Sequence, residues 1–269
     1  MATNLLIGFP QITIDATAVT PSGTEDSTMP AKNLIAGARA RHYRLNAAAT
    51  SNYVTFDLGS SQQKTIQFYY VARADLLQRA GSKRVLLQGS TDNVSYSSIA
   101  GTTSSFQSKT LYGPRGEDII FTSDLGNSDA GTLPATPTYR YWRHYAAGSG
   151  SCPSDKYQHS KAYFGSFFDF GVDPQYPGES GQALQVGRNR REIPLRFVFT
   201  YSGITNTIRQ SFENLIHKYR MTNPVILYTK SFHKPLEDAR VVFGMITKAK
   251  FTPSFSKKNN LTLEFEELI

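Results

Sequence analysis

Apolar and polar residues alternate along short segments in the first 173 residues of the chain. Tyr53–Gly59 alternates with a period of two, as a half-buried strand does, and it ends at a glycine. Val85–Gln88 is an apolar strand that runs into Gly-Ser-Thr-Asp-Asn, residues that tolerate tight turns. The segment Tyr139–Tyr145 also alternates. It predicts one strand face with Tyr139, Tyr141, Arg143 and Tyr145, and an opposite face with Arg140, Trp142 and His144.

The same region lacks a long amphipathic helical pattern. Its short strand segments are separated by polar loops at Pro21–Ser27, Gly101–Ser105 and Ser123–Thr138. Many short strands with polar turns between them are typical of an antiparallel sandwich or jelly roll. Residues 1–173 are therefore predicted to form a β-sandwich.

Proline and glycine recur between Asp169 and Gly187 without sustained periodicity. This composition predicts a linker at residues 174–187. The chain would then consist of a first domain at residues 1–173 and a second at residues 188–269.

The pattern changes after this linker. Ile193–Tyr201 alternates as a strand, and Asn206–Met221 has the spacing of an amphipathic helix. The apolar stripe of that helix comprises Ile208, Phe212, Leu215, Ile216 and Tyr219. Three further strands are predicted, at Val225–Thr229, Ala239–Ile246 and Leu261–Glu266. The order β-α-β-β-β predicts a small α+β domain with one helix packed on a sheet, so the whole chain is expected to be mainly β.

Composition narrows the class of protein. The 269 residues are 39% hydrophobic, which is enough to bury a sizeable core, and no apolar run is long enough to cross a membrane. The N-terminus lacks the features of a secretion signal. Cys152 is the one cysteine, which excludes an intrachain disulfide and a cysteine-based metal site. We therefore expect synthesis in a reducing cytoplasm.

The formal net charge of +8 is uneven, because residues 174–269 hold 14 basic and 8 acidic side chains. A basic region is one sign of nucleic-acid binding. Here the basic residues are dispersed, and no basic run is longer than the two residues of Arg190-Arg191. A solvated or subunit-facing surface is the better interpretation, and specific binding to nucleic acid is not expected.

Candidate catalytic groups are scattered. The histidines lack metal-binding spacing, and the acid pairs Glu25-Asp26, Glu117-Asp118 and Glu237-Asp238 lie in polar loops. We expect no enzymatic activity, no catalytic residue and no bound cofactor.

The ordered motifs Asp57-Leu-Gly59, Gln88-Gly-Ser-Thr-Asp92 and Arg140-Tyr-Trp-Arg143 resemble the discoidin-like (coagulation factor 5/8 type C) branch of the galactose-binding jelly rolls. The resemblance spans about residues 6–170. It implies a sugar or lipid site on loops at one end of the sandwich, where arginines and aromatic rings contact the ligand. It also implies a calcium ion bound by loop carboxylates and carbonyls, for which Asp26 and Asp57 are candidate ligands, although EF-hand spacing is absent. The candidate contact residues are Arg39, Arg41, Tyr43 and Arg44. The favoured interpretation for an assembly protein is that Tyr43 packs in the core and the arginines meet another subunit.

The predicted second domain resembles the ring-forming units of tail-tube and distal tail proteins from long-tailed bacteriophages. The resemblance covers about residues 185–269 and lies in strand order and the closing segment Leu261–Glu266. In distal tail proteins the ring domain precedes the sandwich, whereas the order here is reversed. The resemblance implies a ring homo-oligomer, with Arg188, Arg190 and Arg191 as candidate interface residues.

Together the two resemblances predict a structural virion protein. It would form a ring at the distal tail or baseplate, contact tube, hub and tape-measure proteins, and assemble in the host bacterial cytoplasm. The alternative function is a carbohydrate-binding module that attaches to host cell-surface glycans. The two hypotheses differ in the partner that the sandwich meets.

Overall fold

The computed structural model describes residues 5–11, 15–35, 41–46, 51–72, 83–101, 119–122, 131–132, 138–148, 158–159, 161–179, 196–229, 240–254 and 257–268. The protein is mainly β, as the alternation of the sequence predicts. In these segments, no helix combines the length and apolar character needed to cross a membrane.

The strands lie, in chain order, at Leu5–Phe9 (β1), Ala18–Pro21 (β2), Tyr43–Arg44 (β3), Ser51–Asp57 (β4), Lys64–Thr65 (β5), Phe68–Val71 (β6), Lys83–Ser90 (β7), Ser97–Gly101 (β8), Ile119–Thr122 (β9), Gly131–Thr132 (β10), Thr138–Tyr139 (β11), Tyr141–Gly148 (β12), Gln158–His159 (β13), Ala162–Phe168 (β14), Gln175–Glu179 (β15), Arg196–Thr205 (β16), Val225–Thr229 (β17), Arg240–Pro253 (β18) and Lys258–Glu267 (β19). A 3-10 turn spans Ala31–Leu34, and helix α1 spans Asn206–Tyr219.

A five-stranded antiparallel sheet forms one layer of the sandwich, in the order β2-β4-β12-β7-β8. The central strand β12 places Arg143 opposite Thr55 on one side and opposite Gln88 on the other. Trp142 and His144, its even-numbered neighbours, point into the core and are buried. The predicted alternation of this strand is thus confirmed from Tyr141 onward.

The second layer of the sandwich comes from β6, β9 and β14. Phe164 of β14 packs edge-on against Phe56, with ring centroids 5.0 Å apart, and lies 6.1 Å from Trp142. The Tyr69 hydroxyl hydrogen-bonds His144 Nδ1 at 2.7 Å, which satisfies two polar groups inside this core. The predicted β-sandwich is confirmed by these contacts.

Those three strands also belong to a ten-stranded sheet that runs through both parts of the chain. Its order is β10-β9-β6-β14-β1-β17-β18-β19-β16-β15. Strand β1 is antiparallel to both neighbours, β14 of the sandwich and β17 of the C-terminal part. The sandwich is therefore inserted between β1 and the remaining strands of the C-terminal sheet.

The C-terminal part has the predicted β-α-β-β-β order, with β16, α1, β17, β18 and β19. Helix α1 begins at Asn206 as predicted, because the Thr205 hydroxyl accepts a hydrogen bond from the Ile208 amide. It ends at Tyr219, before Met221, where Arg220 takes a positive φ of 56°. Phe212 packs the helix against two aromatic rings. Its ring centroid lies 6.4 Å from that of Phe9 in β1 and 4.8 Å from that of Phe170, which follows β14.

Residues from both parts of the chain form a shared aromatic core on the other face of the ten-stranded sheet. It comprises Leu6, Phe68, Tyr70, Ala72, Ile120, Tyr163, Ile226, Tyr228, Val241 and Phe243, all buried. The Tyr70 and Phe243 rings stack with centroids 6.1 Å apart, although β6 and β18 are four strand steps apart. Four steps of a flat sheet would span about 19 Å. The sheet therefore curls around this core.

The predicted linker at residues 174–187 contains a strand in its first part. Gln175–Glu179 forms β15, which pairs with β16 at the edge of the large sheet. Residues 180–187 lie outside the described residues. The division into domains at residue 173 stays a prediction. The shared aromatic core shows that the two parts pack on each other.

We predict that Phe212→Ala lowers the free energy of unfolding by about 3–5 kcal/mol, because it empties a site that is fully enclosed by aromatic side chains. His217→Ala is the matched control, since His217 is exposed on the same helix and should change stability by less than about 0.5 kcal/mol. Urea unfolding monitored by circular dichroism measures both. Equal losses in the two variants would contradict the burial of the Phe212 face.

A second prediction concerns the shared aromatic core. Trp142 is the one tryptophan and lies in the sandwich core, so its fluorescence reports unfolding of the sandwich. Phe243→Ala, made in the C-terminal sheet, should lower the urea midpoint of Trp142 fluorescence and that of circular dichroism together. The control is Thr200→Ala, an exposed residue of β16. An unchanged Trp142 midpoint in Phe243→Ala would show that the two parts unfold independently.

Candidate functional site

The outward side of the five-stranded sheet carries a group of aromatic and polar side chains, here called the tyrosine face. The strand alternation that buries Val54, Phe56 and Trp142 turns their neighbours outward. The cross-strand register then brings the outward residues of β4, β12 and β7 side by side. The tyrosine face comprises Tyr53, Thr55, Gln88, Tyr96, Tyr141, Arg143 and Tyr145.

Arg143 lies at the centre of the tyrosine face. Its guanidinium carbon is 3.9 Å from the Tyr53 ring centroid and 3.4 Å from that of Tyr96. Its Nε also donates to Thr55 Oγ1 at 3.4 Å. The Tyr53 ring in turn stacks on Tyr145, with centroids 6.0 Å apart and an interplanar angle of 17°. Cation–π contacts and stacking therefore hold these side chains in fixed positions.

A carboxylate that borders this face, that of Asp57, is already paired. Asp57 accepts two hydrogen bonds from Arg140, at 2.8 and 2.9 Å, and a third from the Gly59 amide at 2.8 Å. The hydrogen bond from Arg140 is the main reason that the pKa of Asp57 lies below its usual value. The Arg140 guanidinium also lies 4.6 Å from the Tyr141 ring centroid. The charges of Asp57 and Arg140 thus compensate each other.

The turn between β7 and β8 holds Tyr96 over Arg143. Asp92 Oδ1 accepts hydrogen bonds from the Ser90 hydroxyl and from the amides of Val94 and Ser95, at 2.8, 2.8 and 2.9 Å. These bonds lower the pKa of Asp92 to about 2, the Val94 amide contributing most. The Tyr96 hydroxyl donates to Asn93 within the same turn. The turn is rigid for a surface segment, and it exposes 82% of Val94.

The residues predicted as sugar or subunit contacts lie elsewhere. Tyr43 and Arg44 form β3, which pairs with β13 in a separate small sheet. The Tyr43 ring has no exposed surface and its hydroxyl donates to Asn52 at 3.0 Å, so it is a core residue that an external partner cannot touch. Arg44 pairs with Asp26 at 2.6 Å, and Arg41 is exposed. Arg39, Arg188, Arg190 and Arg191 lie outside the described residues.

A buried lysine lies near Arg41. Lys161 Nζ donates to the backbone oxygen of Asn33, and the Tyr163 hydroxyl donates to that of Ile35 at 2.9 Å. Burial lowers the pKa of Lys161 to about 8, with a smaller contribution from the charge of Arg41. These two bonds fasten the 3-10 turn to β14, which is a structural role.

The two candidate calcium ligands, Asp26 and Asp57, already have other partners. Asp26 is occupied by the amide and hydroxyl of Thr28 and by Arg44, and these bonds hold its pKa well below the usual value. Asp57 is occupied by Arg140. Within the described segments, histidine, cysteine, aspartate and glutamate side chains form no group of three that could hold a metal ion.

The sequence contained most of the signal for the tyrosine face. Its alternation predicts a strand face with Tyr141, Arg143 and Tyr145, but the alternation alone does not assign a function to that face. Tyr139 was placed on this face wrongly, since it packs edge-on against Trp142, 5.5 Å away, on the core side of a bend at Arg140. Tyr96 was missed, because its position over Arg143 depends on the fold of the turn.

Solved structures similar to this chain include carbohydrate-binding modules. Chitosan-binding module 2 of a chitosanase/glucanase from Paenibacillus sp. IK-5, in complex with chitotriose, is 16% identical, covers 55% of this chain and 95% of its own, and has a TM-score of 0.36. Chitosan-binding module 1 of the same enzyme matches at 16% identity over 55% of this chain and 92% of its own, with a TM-score of 0.34.

The CBM32 module CpGH89CBM32-5 from Clostridium perfringens, in complex with GalNAc-β-1,3-galactose, is 11% identical, covers 57% of this chain and 97% of its own, and has a TM-score of 0.37. No protein-family model and no curated protein sequence matches the chain. Any function assigned to this protein must therefore be argued from its own side chains.

We predict that Asp92→Ala speeds amide hydrogen exchange at Val94 and Ser95, because it removes the acceptor of both amides. In the wild type this protection should be complete above pH 3.8, the ordinary pKa of aspartate. It should be lost as Asp92 is protonated, when the pH falls through its pKa of about 2. Exchange measured by NMR tests both statements. Asp169→Ala, which removes a similar bond to the Gly171 amide, is the control and should leave Val94 unchanged.

Proposed function

We propose that this chain is a non-enzymatic glycan-binding protein and that the tyrosine face is its binding surface. The observation that carries the proposal is the row of half-buried tyrosine rings, with polar groups between them, on one side of a regular sheet. A sugar ring has an apolar face of C–H groups and a rim of hydroxyls. Tyrosine rings can stack on the first, while the half-buried Gln88 side chain can hydrogen-bond the second.

The rigidity of the tyrosine face supports this proposal. Tyr53, Tyr96 and Arg143 already contact one another, so a ligand need not order them when it binds. Side chains that are immobilised on binding cost about 0.5–1.5 kcal/mol each. A surface whose side chains are already ordered avoids this cost. It can therefore bind a sugar, which offers little apolar area.

A binding role also fits the chemistry of the face better than catalysis. Glycoside hydrolysis requires two carboxyl groups on either side of the scissile bond. Asp57, which borders the tyrosine face, is held by Arg140 and Gly59 in an arrangement that keeps its pKa low. A carboxylate held in this way is a poor proton donor at neutral pH, so we propose binding without turnover.

The test is a glycan array followed by calorimetry on the best ligand. Tyr53→Ala and Tyr145→Ala should each weaken binding tenfold or more, which corresponds to about 1.4 kcal/mol. Tyr53→Phe keeps the ring and should retain most of the affinity. His217→Ala, exposed on α1, is the control. Full binding by both alanine variants would contradict the assignment of the surface.

The same array separates the tyrosine face from the loop site suggested by the sequence. Arg41→Ala with Arg44→Ala removes the described arginines of that site without touching the five-stranded sheet. We expect this double variant to bind as the wild type does. Loss of binding there, with normal binding by Tyr53→Ala, would move the site to the end of the sandwich.

A second candidate function is the ring-forming tail protein. Two observations favour it: the β-α-β-β-β order of the C-terminal part, and the place of β1 in the C-terminal sheet. In distal tail proteins the ring domain precedes the sandwich, and here β1 gives the C-terminal sheet a strand that precedes the sandwich. A chain of this kind would assemble into the phage tail and use the sandwich to contact host glycans.

Oligomeric state tests this second candidate. Size-exclusion chromatography with light scattering should show a closed ring if the C-terminal sheet mediates head-to-tail contacts. A monomer over a hundredfold range of concentration would contradict the ring. That result would leave the glycan-binding proposal intact, because the tyrosine face lies within one chain.

A further inference from the structure

Arg143 carries the one charge of the tyrosine face that no described carboxylate compensates. Its contacts are the Tyr53 and Tyr96 rings and the Thr55 hydroxyl, all uncharged groups. The other cation, Arg140, is neutralised by Asp57 in a two-bond ion pair. The cross-strand neighbours Thr55 and Gln88 are also neutral. Within the described residues, the face therefore has a net positive centre.

The acidic group of the adjacent turn, Asp92, is hydrogen-bonded within that turn. Asp92 Oδ1 is turned toward the Ser90 hydroxyl and two backbone amides, and these bonds hold the turn closed. No ion pair joins it to Arg143 among the described residues. An anion from outside is thus the natural partner for the guanidinium.

The geometry of the guanidinium also favours an anion with two oxygens. The Tyr53 and Tyr96 rings contact the Arg143 guanidinium. The N–H groups of the guanidinium are therefore the parts that can hydrogen-bond a ligand. The Nε edge already reaches Thr55 at 3.4 Å. The terminal amino groups can then donate in parallel to two oxygens of a carboxylate or a sulfate, a geometry that arginine provides and lysine does not.

We propose that the tyrosine face selects acidic glycans, in which a sugar carboxylate or sulfate pairs with Arg143 while neighbouring sugar rings lie on the tyrosines. This inference rests on the proposed function and specifies its substrate class. Charge complementarity is its basis, since a neutral sugar would leave the guanidinium without a charged partner. The ion pair would add affinity at the centre of the face, where the flanking rings limit solvent access.

The experiment compares the full chain on matched pairs of oligosaccharides that differ in the anionic group. Suitable pairs are oligogalacturonate with oligogalactose, sialyllactose with lactose, and a sulfated with an unsulfated galactose oligomer. We expect at least one acidic member to bind tenfold or more tighter than its neutral partner. Raising the salt concentration should reduce that difference.

Two variants tie the preference to Arg143. Arg143→Gln should abolish the difference between acidic and neutral members of a pair, and the quantity measured is the ratio of the two affinities within each pair. Arg143→Lys keeps the charge but loses the two-bond geometry, so it should retain part of the difference. Melting temperatures and circular dichroism of both variants verify that the sheet is intact. If Arg143→Gln unfolds, the Arg143→Lys variant and the salt dependence still test whether Arg143 selects acidic glycans.

The possible failures are distinguishable. Equal binding of acidic and neutral members overturns the selectivity but leaves the glycan-binding function. Binding to neither overturns both proposals. A final arm uses polyglutamate: if it binds through Arg143 while no glycan does, the partner is an acidic protein surface, and the acidic-glycan proposal is wrong.

Discussion

The pairing of β1 with two strands at once is the constraint on which the rest of the fold depends. Every residue of Leu5–Phe9 is buried, and the strand hydrogen-bonds β14 on one side and β17 on the other. Its odd-numbered side chains pack under α1, whereas Leu6 enters the shared aromatic core. Glycine at position 8 leaves room for Phe68 and Ile226, because a Cβ there would lie 2.9 Å from the Phe68 ring and 3.2 Å from Ile226. Without β1, the sandwich and the C-terminal sheet would each expose an unpaired, apolar edge.

This constraint sets the order of layers beneath the tyrosine face. The five-stranded sheet lies on the sandwich core, and the opposite faces of β6 and β14 meet the shared aromatic core. Each layer is held by aromatic contacts, such as Phe56 with Phe164 and Tyr70 with Phe243. A surface on strands that rest on such a core keeps its side chains more precisely placed than one built on loops.

The sequence predicted what is local and periodic. The burial of Trp142, the outward position of Arg143 and the start of α1 at Asn206 all follow from alternation and capping, which depend on neighbouring residues. The continuous sheet could not be predicted in this way, because the partners of β1 lie more than 150 residues along the chain and are chosen by tertiary packing. The position of Tyr96 could not be predicted for a similar reason, because the hydrogen bonds of the turn around Asp92 determine where its ring lies.

The period of two along β12 has a further consequence for how this protein can evolve. Trp142 and His144 are buried in the sandwich core, while the adjacent Arg143 and Tyr145 are half-buried on the outward side of the sheet. Selection can therefore act on alternate codons of one short segment for different properties. A lineage could exchange the outward side chains and acquire a new ligand preference while the inward ones, and hence the fold, stay under separate purifying selection.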